Sequence, residues 1–314
     1  MQERKIKVGV LRGGDGPHYD QSVKDGAEII SFILNRLPFD YTPVDILVDR
    51  EGVWHVAGLP VLPADLIHKV DIVWNVSNPT YSTSLRDLGI HVIGANIFPF
   101  GLHTSKGMLR EHMKQIGVKV PQSLVIPLYQ SDFDGEDKEK YVLKKAREVH
   151  AKFSAPWIVK SFTESSMTGI HVARTFPELI TALTDIVDHG KSILVEEFIS
   201  GKVARVHSVK GVRGEELYSF VPHELKHGFF THNTLMQDEK EKLTNLAKQI
   251  HEHTGAGSYT SSTFILNPTR GIHLAEISFI PDLNQDSHFC KSCETVGLKS
   301  SHVVDHIIEK GLSE

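Results

Sequence analysis

Apolar and polar positions in the first third of the chain alternate between short apolar runs and longer amphipathic segments. This βα alternation is typical of a parallel sheet covered by helices. Helical spacing predicts a helix from about Asp20 to Leu37 and a short one at 64–68, whereas the uncharged segment 77–84 is expected to be a loop. The apolar runs predict strands at 5–11, 44–48, 70–76 and 90–94. The pattern predicts a Rossmann-like α/β domain over residues 1–102.

A glycine-rich turn, Arg12-Gly13-Gly14-Asp15-Gly16-Pro17, follows the first predicted strand. In dinucleotide-binding proteins such a turn holds a pyrophosphate, but here the third spaced glycine is missing and Pro17 interrupts the row of backbone amides. The acidic residue expected to bind the ribose after the second strand is also missing. The turn therefore argues against an NAD-dependent oxidoreductase.

The remaining two thirds mix strands and helices without βα alternation, which predicts an α+β arrangement. A helix is expected from a Thr104 or Ser105 N-cap to Gly117, and another within the charged segment 132–153. Further helices are predicted at 176–187, 238–253, 290–296 and 300–310. Further strands are predicted at 156–159, 170–173, 192–199, 203–209, 217–221, 258–266 and 271–281.

Lys160 stands at the exit of the apolar strand that starts at Pro156. The small, polar run Glu164–Gly169 follows, and its backbone N–H groups can turn toward an anion. The hairpin is therefore a candidate flap over nucleotide phosphates. A solvated surface lysine before a polar turn is the structural alternative.

Two further segments carry candidate chemistry. The strand at 192–199 ends in Glu196 and Glu197, and such a strand end can offer backbone groups and a carboxylate to an adenine ring. In the strand at 271–281, Glu276 and Ser278 lie on one face because side chains alternate with a period of two. A carboxylate that faces a nucleotide suits Mg²⁺.

These segments, in this order, resemble ATP-grasp enzymes and are most similar to the D-alanine:D-alanine ligase family. The corresponding family segments read K-P-x-x-x-G-S-S-x-G, V-E-x-x-I and E-x-N-x-x-P-G-x-x-x-x-S, and the resemblance covers nearly the whole chain. It implies an ATP-grasp fold that follows the Rossmann-like (pre-ATP-grasp) domain. The expected subdomains are a central one at 103–196, which carries the phosphate flap, and a C-terminal one at 197–314.

The resemblance implies ATP and Mg²⁺ as cofactors and a set of site residues. The implied catalytic residues are Lys160, Lys226 and Ser287. The implied nucleotide-binding residues are Lys106, Lys160, Ser165, Ser166, Met167, Glu196, Glu197, Phe198, Ile199 and Lys226. The implied metal ligands are Glu276, Ser278 and Asp282. For Lys106 and Lys226, a plain solvent-exposed lysine remains the alternative.

Several positions depart from the family pattern. Ser261 and Thr263 stand where the family has R-x-D, whose arginine stabilises the reacting carboxylate and whose aspartate holds magnesium. Ser278 replaces an asparagine, Asp282 replaces a glycine, and Val203 replaces a ribose-binding glutamate. Two functions stay open. One is a carboxylate–amine ligase with an altered substrate, and the other is a degenerate relative that binds a nucleotide or ligand without turnover.

The charge balance of the chain argues against nucleic acid as a partner. The chain has 314 residues, 40% of them hydrophobic, and 34 basic against 39 acidic side chains give 34 − 39 = −5. This balance offers no global basic field for nucleic acid. No apolar run suits a signal segment or a membrane span, so we expect a cytoplasmic protein acting on small molecules.

The implied substrates are an amino acid or short-peptide carboxylate and an amine. The implied pathway is peptidoglycan biosynthesis, and a homodimer is compatible with the sequence. Cys290 and Cys293 form one isolated C-x-x-C behind His288, which supplies too few ligands for structural zinc. We expect two thiols on a helix face, with zinc or redox chemistry as the alternative.

Overall fold

The computed structural model describes residues 4–16, 18–94, 96–130, 137–162, 170–226, 229–230 and 234–313. For residues 103–104, 106, 226 and 229–230 it describes the backbone. The described chain forms two compact units. The larger unit contains residues 1–118, 202–266 and 274–314, and the smaller unit contains 119–201 and 267–273. The expected domain boundaries at 102/103 and 196/197 stay a prediction.

The N-terminal part of the larger unit is a six-stranded sheet with the order β4-β3-β2-β1-β5-β6. Its strands are β1 Ile6–Gly13, β2 Tyr41–Val48, β3 Trp54–Val56, β4 Leu59–Val61, β5 Ile72–Asn75 and β6 His91–Gly94. Strands β2, β1, β5 and β6 are parallel, and β3 and β4 continue from β2 as antiparallel strands. The buried side chains of Val8, Val10 and Leu11 make β1 an apolar central strand, as parallel sheets require.

Two helices connect these strands. Helix α1, Tyr19–Arg36, buries Ile29, Phe32 and Ile33 at helical spacing, which agrees with its predicted extent. Helix α2, Thr80–Asp87, corrects the expected loop at 77–84. Asn78 Oδ1 accepts a hydrogen bond from the Thr80 backbone N–H at 3.0 Å and so satisfies a donor at the helix start. A 3₁₀ turn at Pro63–His68 stands where the short helix was expected.

The C-terminal part of the larger unit contains a second sheet with the order β14-β13-β11-β15-β16, and β12 also pairs with β11. Its strands are β11 Lys202–Lys210, β12 Leu217–Ser219, β13 His223–Lys226, β14 Phe229–Phe230, β15 Tyr259–Asn267 and β16 Gly271–Ser278. The central pair, β11 and β15, is antiparallel, with Arg205 opposite Thr263 and His207 opposite Ser261. Because directly opposed residues share a face, the side chains of Arg205, Thr263, His207 and Ser261 lie on the same face of this sheet.

The described part of the larger unit contains five further helices. Helix α3, Ile97–Thr104, lies in a segment for which no helix was predicted, and it ends one residue before Ser105. The remaining helices of this unit are α4 Lys106–Gln115, α7 Gln237–Thr254, α8 His288–Thr295 and α9 Ser300–Ser313. No helix in the described part of the chain is both long and apolar enough to cross a membrane.

The described residues of the smaller unit form an antiparallel sheet with the order β7-β10-β8-β9 and two helices. Its elements are β7 Ser123–Ile126, α5 Lys138–Lys152, β8 Trp157–Ser161, β9 His171–Ala173, α6 Phe176–Asp188 and β10 Ile193–Glu197. Trp157, Val159 and Val195 pack into a core with α5 and α6. Because strand side chains alternate, Lys160 and Glu196 lie on the other face of the sheet.

Candidate functional site

Lys160 and Glu196 form a close ion pair in the smaller unit. Lys160 pairs with Leu194 in the β8–β10 ladder, so Glu196 is its diagonal neighbour on the same face. Lys160 Nζ lies 2.7 Å from Glu196 Oε2, and the two side chains are only 27% and 10% exposed. The predicted strand exit therefore holds a partly buried lysine beside a carboxylate.

The neighbouring Glu197 has a different environment. Its two carboxylate oxygens accept hydrogen bonds from Arg270 Nη2 at 3.0 and 3.1 Å, and Oε1 also accepts one from the Gln122 backbone N–H at 3.0 Å. These bonds anchor the end of β10 and occupy the Glu197 carboxylate. Of the next two predicted nucleotide contacts, Phe198 is 40% exposed whereas Ile199 is buried.

The other predicted phosphate contacts fall outside the described side chains. Ser165, Ser166 and Met167 lie outside the described residues, and the Lys106 and Lys226 side chains are also outside the description. Helix α4 begins at Lys106, and Ser105, one of the two predicted N-caps, accepts a hydrogen bond from the Met108 backbone N–H. The roles of these five residues stay predictions.

In the larger unit, β11, β15 and β16 bring together residues from three separate stretches of sequence. Arg205 Nε donates a hydrogen bond to Thr263 Oγ1 at 2.9 Å. Arg205 Nη2 lies 3.8 Å from Glu276 Oε2, and the two side chains are 29% and 57% exposed. Glu276 thus lies beside a guanidinium that was not among the predicted site residues.

Two of the three predicted metal ligands, Ser278 and Asp282, make local hydrogen bonds. Ser278 Oγ bonds locally, since it donates to the Ile280 carbonyl and accepts from the Ile280 N–H. Asp282 Oδ1 accepts hydrogen bonds from the Asn284 backbone N–H and side-chain amide at 3.1 and 2.9 Å. Among the described residues, no group of three or more His, Cys, Asp or Glu side chains is placed to hold a metal ion. Mg²⁺ needs several well-placed oxygens in near-octahedral geometry, so this donor set does not fit a protein-held Mg²⁺.

Ser287, the predicted catalytic serine, is the N-cap of α8. Its Oγ accepts a hydrogen bond from the Cys290 backbone N–H at 3.2 Å, and its side chain is buried. This bond satisfies one of the free donors at the helix start, which is a structural role for the serine. A catalytic role stays a prediction.

A buried hydrogen-bonded chain of three aromatic side chains lies on the same face of β11 as Arg205. His207 Nδ1 is 2.7 Å from the Tyr259 hydroxyl, and His207 Nε2 is 2.7 Å from His288 Nδ1. Burial lowers the pKa of His207 well below its usual value and lowers the pKa of His288 to about 3, with the Arg205 charge adding to both effects. Both imidazoles are therefore neutral near pH 7. These hydrogen bonds could not be predicted from the sequence, because Tyr259, His207 and His288 are far apart in it.

The two cysteines lie in α8, and both are buried with free thiols. Burial raises the pKa of Cys293 above its ordinary value. A thiol with a raised pKa is a poor nucleophile and a poor metal ligand at neutral pH, because both activities need the thiolate. This environment agrees with the expectation of helix-face thiols.

Comparisons with known proteins cover nearly the whole chain. The family model described as "D-ala D-ala ligase C-terminus" matches residues 113–309. The D-alanine–D-alanine ligase of Halothermothrix orenii is 24% identical, and the match covers 99% of each chain. That of Lactobacillus acidophilus is 21% identical, and the match covers 98% of this chain and 96% of the relative.

Solved structures show the same fold. VanG D-Ala:D-Ser ligase from Enterococcus faecalis has a TM-score of 0.72 at 19% identity, covering 98% of this chain and 100% of that one. The D-alanine–D-alanine ligase from Bacillus anthracis complexed with ATP has a TM-score of 0.69 at 18% identity, covering 98% and 97%. The predicted ATP-grasp fold with a Rossmann-like N-terminal part is confirmed.

The family match spans well over half of the chain and includes the strands that carry Lys160, Glu196, Arg205 and Glu276. It supports an ATP-dependent ligase function and does not favour the degenerate alternative. The chain belongs to the D-alanine–D-alanine ligase family.

Proposed function

We propose that the protein is an ATP-dependent ligase that activates a small carboxylate as an acyl phosphate, which an amine then attacks. Acyl phosphate formation is a phosphoryl transfer, and its catalysis consists mostly of positioning and charge stabilisation. The observation that carries the proposal is the partly buried Lys160, held on the sheet face opposite α5 and α6 by Glu196 at 2.7 Å.

Lys160 is suited to a phosphate because its ammonium is already positioned. Holding a lysine in one place costs side-chain entropy, and in this protein the Glu196 carboxylate offsets that cost before any ligand arrives. A phosphate oxygen competes with Glu196 for the same ammonium, whose side chain is still more than one quarter exposed. We assign Lys160 to phosphate binding on this ground.

We assign the end of β10 to the adenine ring. The Glu197 carboxylate is occupied by Arg270 and Gln122, so the contribution expected from this residue is its backbone rather than its side chain. Phe198 offers a partly exposed ring next to that backbone, and an aromatic face suits stacking on a base. The assignments of Lys106, Ser165, Ser166, Met167 and Lys226 to phosphate binding rest on the sequence motifs.

Ligases of this family use ATP and Mg²⁺, and the ion neutralises phosphate oxygens when it is bound. Because Glu276, Ser278 and Asp282 do not form a donor set that fits Mg²⁺, we assign no step of the reaction to an ion held by these three residues.

The substrates we propose are small molecules: an amino acid or short-peptide carboxylate, and an amine. Three of the four similar proteins named above are D-alanine–D-alanine ligases and one is a D-Ala:D-Ser ligase. We infer a role in peptidoglycan biosynthesis in the cytoplasm, and a homodimer as the assembly to be tested by light scattering.

The test is phosphate release from ATP with Mg²⁺ and pooled D- and L-amino acids. We expect amino-acid-dependent release by the wild-type protein and a loss of at least about 100-fold in Lys160→Ala, because one preorganised charge at a transferring phosphoryl group contributes that much. Lys140→Ala is the matched control, since it removes an exposed lysine from α5 of the same unit. Nucleotide binding without release would favour the degenerate relative, and equal rates in Lys160→Ala would remove Lys160 from the mechanism.

A further inference from the structure

The guanidinium of Arg205 has unused hydrogen-bonding capacity. One of its five N–H groups, Nε–H, donates to Thr263 Oγ1. Its other N–H groups donate no hydrogen bond to any described residue, since the Nη2–Glu276 separation of 3.8 Å is an ion-pair distance only. The side chain is nonetheless 29% exposed, so most of it is withdrawn from water. An arginine held in this way has lost part of its hydration without gaining equivalent protein partners.

Glu276 does not account for the position of Arg205. The separation of 3.8 Å is long for a charge-assisted hydrogen bond, and the Glu276 side chain is 57% exposed, so water screens the pair. The Thr263 bond fixes the orientation of the guanidinium plane, because it uses the rigid Nε–H end of the group. The bond to Thr263 on β15 therefore holds the two terminal amino groups in one orientation, and these groups remain available to a ligand.

The surroundings favour an anion as that ligand. On the same face, Thr263 and Ser261 contribute hydroxyl groups, and burial keeps His207 and His288 neutral. A negatively charged ligand thus meets one fixed positive charge among hydroxyl groups, opposed by the largely exposed Glu276 carboxylate, 3.8 Å from the guanidinium. The planar fork of a guanidinium matches two oxygens of a carboxylate or of a phosphoryl group.

We propose that Arg205 is an oxyanion-binding residue of this protein, whose terminal amino groups hold a phosphoryl or carboxylate group of a substrate beside Glu276. It supplies there the positive charge that Glu276, Ser278 and Asp282 do not provide through a metal ion. This inference rests on the proposed ligase function, which supplies both kinds of oxyanion. Ligand binding gives up only the long contact with Glu276 and keeps the Thr263 hydrogen bond.

Calorimetric titration of the full-length protein tests the inference with three probes: inorganic phosphate, the β,γ-imido analogue of ATP, and D-alanine. We expect Arg205→Gln to weaken binding by about 10- to 100-fold, the effect of removing charge-assisted hydrogen bonds. Arg205→Lys keeps the charge but loses the fork, so its affinity should be intermediate. Arg86→Gln, which removes an exposed arginine from α2 of the same unit, should match the wild type.

The probes separate the two sources of the oxyanion. Weaker binding of phosphate and of the ATP analogue, with D-alanine unchanged, identifies a phosphoryl group as the ligand. Weaker binding of D-alanine alone identifies a carboxylate. Equal binding of every probe by the wild type and by folded Arg205→Gln overturns the role of Arg205.

Other outcomes separate this inference from the ligase proposal. If the wild type turns over and Arg205→Gln binds every probe with unchanged affinity, the ligase function is supported and the oxyanion-binding role of Arg205 is contradicted. If Arg205→Gln loses phosphate binding and the wild type shows no turnover, the oxyanion-binding role of Arg205 is supported and the ligase function is contradicted. Failure of the wild type to bind any probe overturns both. If Arg205→Gln does not fold, Arg205→Lys decides, because wild-type affinity in that variant contradicts a fork-shaped contact.

Discussion

The Lys160–Glu196 pair of the smaller unit and the Arg205–Glu276 pair of the larger unit are both acid–base pairs on strands, yet they differ physically. The first is 2.7 Å long and mostly buried, whereas the second is 3.8 Å long with a largely exposed carboxylate. The first includes Lys160, which the sequence motif assigns to nucleotide phosphates. The second lies where family residues are replaced by Ser261 and Thr263. The smaller unit thus holds a close, largely buried pair at a predicted site residue, and the larger unit holds a looser pair that the sequence did not predict.

Breaking the first pair should have the largest effect. We expect Lys160→Met to destabilise the protein by about 3 kcal/mol, because it removes the cation that lies 2.7 Å from a buried carboxylate, and to reduce phosphate release by at least about 100-fold. Urea unfolding and the phosphate-release assay measure the two effects.

The double variant Lys160→Met/Glu196→Gln separates stability from chemistry. Removing both charges should recover most of the unfolding free energy, because the buried carboxylate is removed together with the lysine that compensated it, while phosphate release stays low. Recovery of turnover together with stability would show that Lys160 acts only as a structural partner of Glu196.

Acid should destabilise the larger unit through its buried histidines. The pKa of His288 is lowered to about 3, so this imidazole stays neutral in the folded protein at pH values where the unfolded chain binds a proton. A lowered folded-state pKa leaves stability intact above the unfolded value near 6.5 and removes it as the pH falls. Between pH 6.5 and pH 5, we expect His288 alone to lower the unfolding free energy by about 2 kcal/mol.

Urea unfolding of the wild type and of His288→Gln at several pH values measures this effect. The variant cannot titrate at that position, so its stability should fall less steeply between pH 6.5 and pH 5. Parallel pH profiles for the two proteins would show that His288 is not held neutral.

The smaller unit was largely predictable because its signals are local. The apolar run before Lys160 and the apolar run before Glu196 each read as a strand, and alternation of side chains places both residues on the face away from the helices. That the two side chains meet depends on the antiparallel register of β8 and β10, which the sequence does not state. The sequence motif therefore identified Lys160 and Glu196, and the strand register explains why their side chains are in contact.

The site of the larger unit was missed because its members meet only through the register of the sheet. Arg205 reads as an ordinary polar position between Ala204 and Val206 until β11 pairs with β15 and places it opposite Thr263. His207 and His288 are likewise far apart in sequence, and nothing local marks them as partners. Helix α2 was missed for another reason, since its eight residues contain only two apolar side chains, Tyr81 and Leu85, which are too few to show a helical period in the sequence.

Breaking the second pair should have the smallest effect on stability. We expect Glu276→Gln to change the unfolding free energy by less than about 0.5 kcal/mol, because an exposed pair at 3.8 Å contributes little. If Arg205 binds an oxyanion, the same variant should strengthen binding of that ligand, because it removes a negative charge beside the ligand. Urea unfolding and calorimetry with inorganic phosphate and with D-alanine measure the two quantities. A loss of several kcal/mol would make Arg205–Glu276 a structural pair like Lys160–Glu196, and the contrast between the two units would then disappear.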